Sequence, residues 1–375
     1  MTIHLTREHY MTANDVYRDR LHRTQAALAS AGVDLLLVGP SSDLVYLTGI
    51  DAHLSERLNL LLVPAQGKPS FVVPRLEAPN MADKADLVDM ASWEETDSPA
   101  ELVARLARTV KTVAIGDQLH AVFVLRLQDA VPATRWVQGG PLLKDLRMHK
   151  DAAELAAMGE VAKRTDQAWA AFLEGGPISG LTETQAMTRL STLMTDHGIK
   201  PMFGICASGP NSASPHYHTG ERIIEEGDAV IFDFGGELDG YLSDMTRTVF
   251  IGQPTDQYRT VYDTVLRANQ AAFEAVRPGV PCEVIDRAAR DVITAAGFGG
   301  NFIHRVGHGL GLDVHEEPYM VSGNMLPLAP GMVFSDEPGI YLQGDFGVRI
   351  EDTVVCTETG GERLNSAPED LTTMD

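Results

Sequence analysis

The chain has 375 residues, 44% of them apolar, which is enough for two packed domains and leaves no stretch that looks disordered. Lys and Arg number 30 against 52 Asp and Glu, a net charge of −22 that repels phosphate backbones and anionic lipid and so argues against nucleic-acid and membrane partners. The opening MTIHLTREHYM lacks the apolar core of a secretory leader, and the longest apolar runs, at 33–38 and 58–63, are too short to cross a bilayer.

Apolar residues at helical spacing predict a helix over residues 14–31, stopped by Gly32, with VDLLLVG following as a buried strand. Apolar segments at 44–47, 58–63, 71–73 and 113–115 continue the strand series and alternate with helical stretches near 99–110 and 121–130. That alternation describes an α/β domain. It carries no Gly-rich phosphate loop, Cys/His cluster or evident nucleophile, so it reads as a scaffold, a dimer surface or a lid. The style changes at the basic KDLRMHK, which sets a domain boundary near residue 148 and divides the chain into 1–147 and 148–375. Helices are then predicted over 151–173 and 182–197, the second with Thr182 and Gln185 at capping-box spacing. A second pair is predicted over 256–276 and 281–296. Each pair precedes strands, and GLTETQ before one helix echoes GVPCEVID before another. The pattern suggests a duplicated α+β unit whose strands meet in a shared sheet. Cys206, Cys282 and Cys356 are odd in number and widely spaced, which indicates small core residues and a reducing cytoplasm rather than disulfides or a zinc knot.

The chemistry concentrates in four segments. In VIFDFGGELDGYLSDMTRTVF, Asp233 and Asp244 sit on two strand-like stretches around a Gly-containing turn. A carboxylate in so apolar a run is costly unless compensated, although Asp233 alone could be a structural acceptor. In HRVGHGLGLDVHE, His304, His308 and His315 lie among glycines that permit close backbone approach to something bound. In MVFSDEPGIYL, Glu337 follows an apolar strand and precedes a Pro-Gly turn. In GVRIEDTVVC, Arg349, Glu351 and Thr353 share one strand face and Asp352 the other. Several inward carboxylates repel one another unless cations bind among them. Four carboxylates and an imidazole suit paired divalent metals such as manganese, cobalt or zinc.

The set DFGG, SDMTRT, GHGLGLDVHE, DEPGIY and VRIEDT resembles the metal-binding signature of the pita-bread metallopeptidases, which include prolidase, aminopeptidase P, methionine aminopeptidase and creatinase. The resemblance implies an α/β creatinase-like N-terminal domain (1–147) ahead of an α+β pita-bread catalytic domain (148–375) with an internal pseudo-twofold duplication. Methionine aminopeptidases lack the first domain. The resemblance assigns five metal ligands: Asp233, Asp244, His308, Glu337 and Glu351. Asp244 and Glu351 would bridge two ions, Asp233 would complete one site, and His308 with Glu337 the other. Glu337 would also shuttle the proton. His216 and His315 match catalytic positions near the substrate, and His304, Tyr341 and Arg349 match supporting ones, with Arg349 placed to orient carboxylates. His218 reads as an ordinary loop residue.

The implied reaction is hydrolysis of the Xaa-Pro bond in dipeptides or short peptides, by a cytoplasmic homodimer holding two divalent ions per chain, with manganese ahead of cobalt and zinc. Aminopeptidase P activity on longer peptides is the alternative; a non-peptidase C–N hydrolase and a non-catalytic binding protein are more distant ones. Some prolidases carry an Arg four residues after the position of His315, where this chain has Tyr319.

Overall fold

A computed structural model describes residues 13–131 and 135–375; the opening MTIHLTREHYM lies outside the described residues. Between Arg147 and Met148 the chain divides into two compact units. Among the described residues, no helix is long and apolar enough to cross a membrane.

The first unit opens with α1 (Ala13–Ala31), which Gly32 ends at a φ of 64°. There follow β1 (Leu35–Val38), α2 (Ser42–Thr48), β2 (Leu60–Pro64), β3 (Ser70–Pro74), β4 (Asp89–Trp93) and α3 (Pro99–Leu106). The unit closes with β5 (Thr112–Ile115), α4 (Ala121–Ala130), β6 (Arg135–Gln138) and α5 (Gly140–Met148). The strands form one mixed sheet in the order β4-β3-β2-β1-β5-β6. Two features differ from the sequence reading. The apolar run at 44–47 is helical: the Ser41 hydroxyl accepts from the Leu44 N–H, and Gly49 ends the helix in the left-handed region. A buried run that short has no periodicity to separate helix from strand. The edge strands β4 and β6 were not anticipated, because both are partly exposed and carry few apolar residues.

The second unit repeats a helix–helix–strands order. The first round is α6 (Ala152–Glu174), α7 (Glu183–Asp196), β7 (Lys200–Ser208), β8 (Ala229–Leu238), β9 (Tyr241–Leu242) and β10 (Met245–Ile251). Both helices start with full capping boxes, Asp151 with Glu154 and Thr182 with Gln185. The second round is α8 (Asp256–Ala275), α9 (Cys282–Ala295), β11 (Gly307–Gly309), β12 (Glu316–Met320), β13 (Val333–Asp336), β14 (Gly339–Leu342), β15 (Phe346–Arg349), β16 (Asp352–Cys356) and β17 (Gly361–Arg363). A last strand, β18 (Thr372–Met374), returns to the first round and pairs with β10.

The expected shared sheet is instead two five-stranded sheets, β18-β10-β8-β7 with β9 on β8, and β12-β11-β13-β16-β17. They are tied where the Glu351 N–H donates to the Thr246 carbonyl at 3.1 Å and Arg247 donates to the Glu351 carbonyl at 2.7 Å. Ile350 and Glu351, between β15 and β16, leave the ladder at that point. Each sheet has its own core. Val161, Trp169, Phe172 and Leu190 pack on Phe232 and Phe234; Tyr258, Val265 and Ile285 belong to a second cluster with Phe334, Val348 and Val354. Each such buried side chain contributes about 1.5–3 kcal/mol. The three cysteines are free and buried, as small core residues.

Candidate metal centre

The site sits where the two sheets meet. On β8, Phe232 and Phe234 turn into the core, so alternation sends Asp233 to the opposite face. The chain reverses at Asp239 and Gly240, both at positive φ (51° and 86°), the Asp-Gly pair a two-residue hairpin favours. It returns with Asp244 just ahead of β10, and Thr246 lies opposite Asp233 in the ladder. The second sheet supplies His308 on β11, Glu337 directly after β13 and Glu351 directly before β16.

The glycines beside His308 have a different task from the one read in the sequence. A Cβ on Gly307 would lie 1.8 Å from the Ser335 carbonyl oxygen, and one on Gly309 would lie 2.2 Å from that of Glu317. The close approach is therefore by neighbouring strands. It locks β11 between β12 and β13 and aims His308.

Donor atoms of Asp244, His308 and Glu351 all lie within 4.8 Å of one another, and all three residues are buried. His308 Nδ1 is 3.1 Å from the Gly309 carbonyl, which can only accept. Nδ1 thus carries an N–H, and Nε2 faces Asp244 Oδ2 at 3.6 Å and Glu337 Oε1 at 3.3 Å. Burial, then the charge of Asp233, pushes the Asp244 carboxyl well above its ordinary pKa. Burial, then Asp244 and Glu337, does the same to Glu351. Burial works to raise Glu337 as well, but the His308 hydrogen bond and charge hold it down at about 2.

This arrangement brings together all five residues assigned as ligands. Asp233 and Glu337 join the other three in the wall of a cavity of about 740 Å³. Lone pairs converging from four carboxylates and one imidazole, with few protein cations among them, fit divalent metal ions. Asp233 is the exception in that Arg349 already pairs with it.

His304, Tyr341 and Arg349 form a hydrogen-bonded chain that ends on Asp233. Nδ1 of His304 donates to the Arg305 carbonyl at 2.7 Å, so its Nε2 accepts from the Tyr341 hydroxyl at 2.8 Å. Arg349 donates to that hydroxyl at 2.9 Å, to Thr246 Oγ1 at 3.1 Å and to Asp233. Burial pushes the Tyr341 phenol up to about 12. Tyr341 itself is buried outside the cavity wall, whereas His304, His216 and His315 line it. The His315 ring centroid is 4.1 Å from that of His308, and burial, then the charges of His308 and Arg305, lowers its pKa to about 4. His218 is exposed and outside the wall.

Several participants escaped the sequence reading. Thr246 Oγ1 donates to Glu351 Oε2 at 2.6 Å, and Ser335 Oγ donates to Glu337 at 3.2 Å while accepting from the His308 N–H at 3.0 Å. Both sit inside the motifs SDMTRT and FSDEPG, and strand alternation could have found them. Met202, Phe203, Ile205 and Val314, the apolar side of the wall, carried no chemical signal.

The description of metallopeptidase family M24 matches residues 156–358, more than half of the chain, and the creatinase/prolidase N-terminal domain matches residues 20–149. The chain belongs to metallopeptidase family M24. As a member it is a metal-dependent peptidase with a creatinase-type N-terminal domain. It is 42% identical over 363 residues to a probable dipeptidase PepE of Mycobacterium tuberculosis, covering 95% of this chain and 96% of that protein. It is 32% identical to an Xaa-Pro dipeptidase of Lactobacillus helveticus, covering 94% and 98%. The crystal structure of dipeptidase PepE from Mycobacterium ulcerans superimposes with a TM-score of 0.91 at 41% identity, covering 96% and 99%.

Proposed function

We propose that this chain is a cytoplasmic, homodimeric Xaa-Pro dipeptidase that binds two divalent ions, manganese ahead of cobalt or zinc. Residues 1–147 would be its creatinase-like domain and 148–375 its catalytic domain. The observation that carries the reading is the convergence of Asp244, His308 and Glu351 donor atoms within 4.8 Å in a cavity that Asp233 and Glu337 also line. Support for the substrate comes from full-length relatives named dipeptidase and Xaa-Pro dipeptidase. Free buried cysteines accord with a cytoplasmic location.

Asp233, Asp244, His308, Glu337 and Glu351 would hold the ions. What bound ions supply there is Lewis acidity toward the scissile carbonyl and a lowered pKa for water. The remaining steps fall to side chains. Glu337 takes a proton from the attacking water and passes it to the leaving nitrogen. That transfer matters because the bond before proline is a tertiary amide, whose nitrogen carries no hydrogen. His315, neutral at physiological pH given its depressed pKa, and His216 donate hydrogen bonds to the carbonyl oxygen or the departing nitrogen. Arg349 fixes Asp233 directly and Glu351 through Thr246. Met202, Phe203, Ile205 and Val314 offer the apolar surface a pyrrolidine ring needs.

The test compares Ala-Pro, Ala-Pro-Ala and Ala-Ala-Ala under saturating manganese, with metal content measured by elemental analysis. Rapid cleavage of Ala-Pro alone, with close to two equivalents of metal and loss of activity on chelation, is expected. Equal rates on all three peptides would remove the proline claim. Full activity of metal-free protein would remove the metal claim.

A further inference from the structure

His216 lines the cavity and is exposed, and among the described residues no hydrogen bond or ion pair holds its ring. Its neighbours in the wall are better held: His304 is hydrogen-bonded at both ring nitrogens, and His315 packs on His308. The place of the His216 ring is therefore set by its backbone, in the connection between β7 and β8. Contacts from the second round fix the middle of that connection. Gln343 donates to the Ala213 carbonyl at 2.8 Å, the Gly347 N–H to Ser212 Oγ at 2.8 Å, and Arg349 to the Pro215 carbonyl at 3.3 Å.

The two ends converge on one carboxylate, that of Glu183, which opens α7 and is 0% exposed. Its Oε1 accepts from the Ser208 N–H at 2.8 Å, the Ser208 hydroxyl at 2.7 Å and the Asn211 amide at 2.9 Å. Its Oε2 accepts from the Gly220 N–H at 3.2 Å. Tyr217, next to His216, hydrogen-bonds to Glu183 through its hydroxyl, which also accepts from Asn211 at 2.9 Å. Burial, then the charge and hydrogen bond of Glu183, raises the Tyr217 phenol, so it stays a donor. The backbone adds to this: the Glu183 N–H donates to the Arg222 carbonyl and the Thr184 N–H to that of Gly220, both at 3.0 Å. A helix start leaves such N–H groups without partners of their own.

Among the described residues no Lys or Arg lies within ion-pair distance of Glu183. Arg222 reaches it only through the Ser208 hydroxyl, to which it donates at 2.8 Å. A buried carboxylate without a cation is tolerable only while donors surround it. Those donors come from Ser208, Asn211, Tyr217 and Gly220, on either side of His216, so opening the connection would strand the charge. We propose that Glu183 is a positioning residue for His216: it holds the backbone that carries the imidazole, so that the ring meets the substrate already in place. The assignment rests on the dipeptidase reading above. Glu183 is absent from the cavity wall, so it acts through His216 rather than on the substrate.

The experiment is a double-mutant cycle in full-length, manganese-loaded protein, with wild type, Glu183→Gln, His216→Ala and the double variant. Each is measured for kcat and KM on Ala-Pro, for metal content and for amide hydrogen exchange over residues 208–221. Glutamine keeps the shape but turns one acceptor into a donor that faces other donors, so exchange within 208–221 should quicken. Misplacement of His216 should lower kcat about tenfold, short of the roughly hundredfold loss in His216→Ala, with KM and metal content near wild type. In the His216→Ala background the same change should cost less than about twofold. Equal losses in both backgrounds, loss of metal, or wild-type kcat in folded Glu183→Gln would each overturn the assignment. If Glu183→Gln does not fold, Tyr217→Phe, which removes one donor beside His216, replaces it in the cycle, and equal losses there would sink the idea. Cleavage of Ala-Ala but not Ala-Pro would end the proline reading alone, and the cycle would be read on Ala-Ala. Failure to cleave either would end the dipeptidase reading; wild-type exchange over 208–221 in Glu183→Gln would then overturn the hold of Glu183 as well, and faster exchange would sustain it.

Discussion

Two layers of carboxylates lie back to back across β13 and β16, and they are neutralised in opposite ways. Asp336 and Asp352 face one another in the ladder; Glu337 and Glu351, each one residue along, line the cavity. Behind the sheet, Asp352 takes Arg247 at 2.7 Å and Arg363 at 3.4 Å, and Arg363 also reaches Glu369 at 3.0 Å. Among the described residues Asp336 has no hydrogen-bond partner for either oxygen, and burial holds it well above its ordinary pKa, toward the neutral acid. In front, one arginine serves Asp233, and Asp244 and Glu351 are left in close company with His308. Residue type does not distinguish the layers. Asp352 is neutralised by arginines of the chain, Asp336 by burial, and Asp233 by Arg349, whereas Asp244 and Glu351 have no arginine within ion-pair distance among the described residues.

The sharpest way to break that contrast is to remove one charge from the front. Asp244→Asn and Glu351→Gln should each lower kcat/KM for Ala-Pro by roughly a thousandfold or more, since several kcal/mol of charge stabilisation depend on the ions they are proposed to hold. In chelator-treated protein the same variants should melt at or above the wild-type temperature, because each relieves repulsion within the buried set. Marked destabilisation of the metal-free variants would mean that the front layer is structural too.

The back layer should respond in reverse. Arg247→Met strands the Asp352 carboxylate, 1% exposed, without its 2.7 Å partner. Breaking a buried pair on one side costs about 3–5 kcal/mol, read as a fall of roughly 10 °C in melting temperature. The double variant Arg247→Met/Asp352→Leu should recover most of that loss. Metal content of the folded fraction should stay near wild type, and a variant that melts normally would refute the assignment of Asp352 to the scaffold.

How legible these layers were in the sequence depends on the range of the interaction that makes them. The five residues proposed as ligands stood out because each sits in a short motif, and alternation alone separated Asp352 from Glu351. The long helices of the second unit were legible from periodicity and caps, down to the box at Thr182 and Gln185. What escaped was set by distant partners. The junction between the two sheets rests on a contact between Thr246 and Glu351, 105 positions apart. Arg247 and Arg363 give no hint in the sequence that they close the back of the site. The helix at Ser42–Thr48 was missed for the opposite reason: it is too short to show a period, and only its caps declare it.

Histidines at the cavity mouth should produce a smaller effect than the ligands do. His216 and His315 line the cavity and are exposed, and neither is among the three converging donors. Replacing either by Ala should retain the metal and lower kcat on the order of a hundredfold, the usual cost of one oxyanion-type donor. Wild-type turnover in both variants would return them to the surface, and loss of metal from either would move it into the ligand set.

The smallest expected effect concerns pH and the outer rim of the back layer. Burial, then a hydrogen bond and charge from Asp352, raises the Glu369 carboxyl to about 7, although Arg363 lies beside it. A folded-state pKa above the unfolded value of 4.5 means that the native protein holds this proton more tightly than the unfolded chain does. The associated stability is complete below 4.5 and is lost as pH rises through about 7. Glu369→Gln removes the titration while keeping the shape. Relative to wild type, the variant should therefore gain in melting temperature as pH rises from 5 to 8, by about 2–4 °C for an effect near 1 kcal/mol. Activity against Ala-Pro should follow the same pH profile in both proteins, because Glu369 pairs with Arg363 behind the sheet and is absent from the cavity wall. A gap that closes with rising pH would reverse the sign and show that Arg363 outweighs burial at this carboxyl. A changed activity profile would show instead that the two layers communicate through β16, and the division between scaffold and chemistry would fail there first.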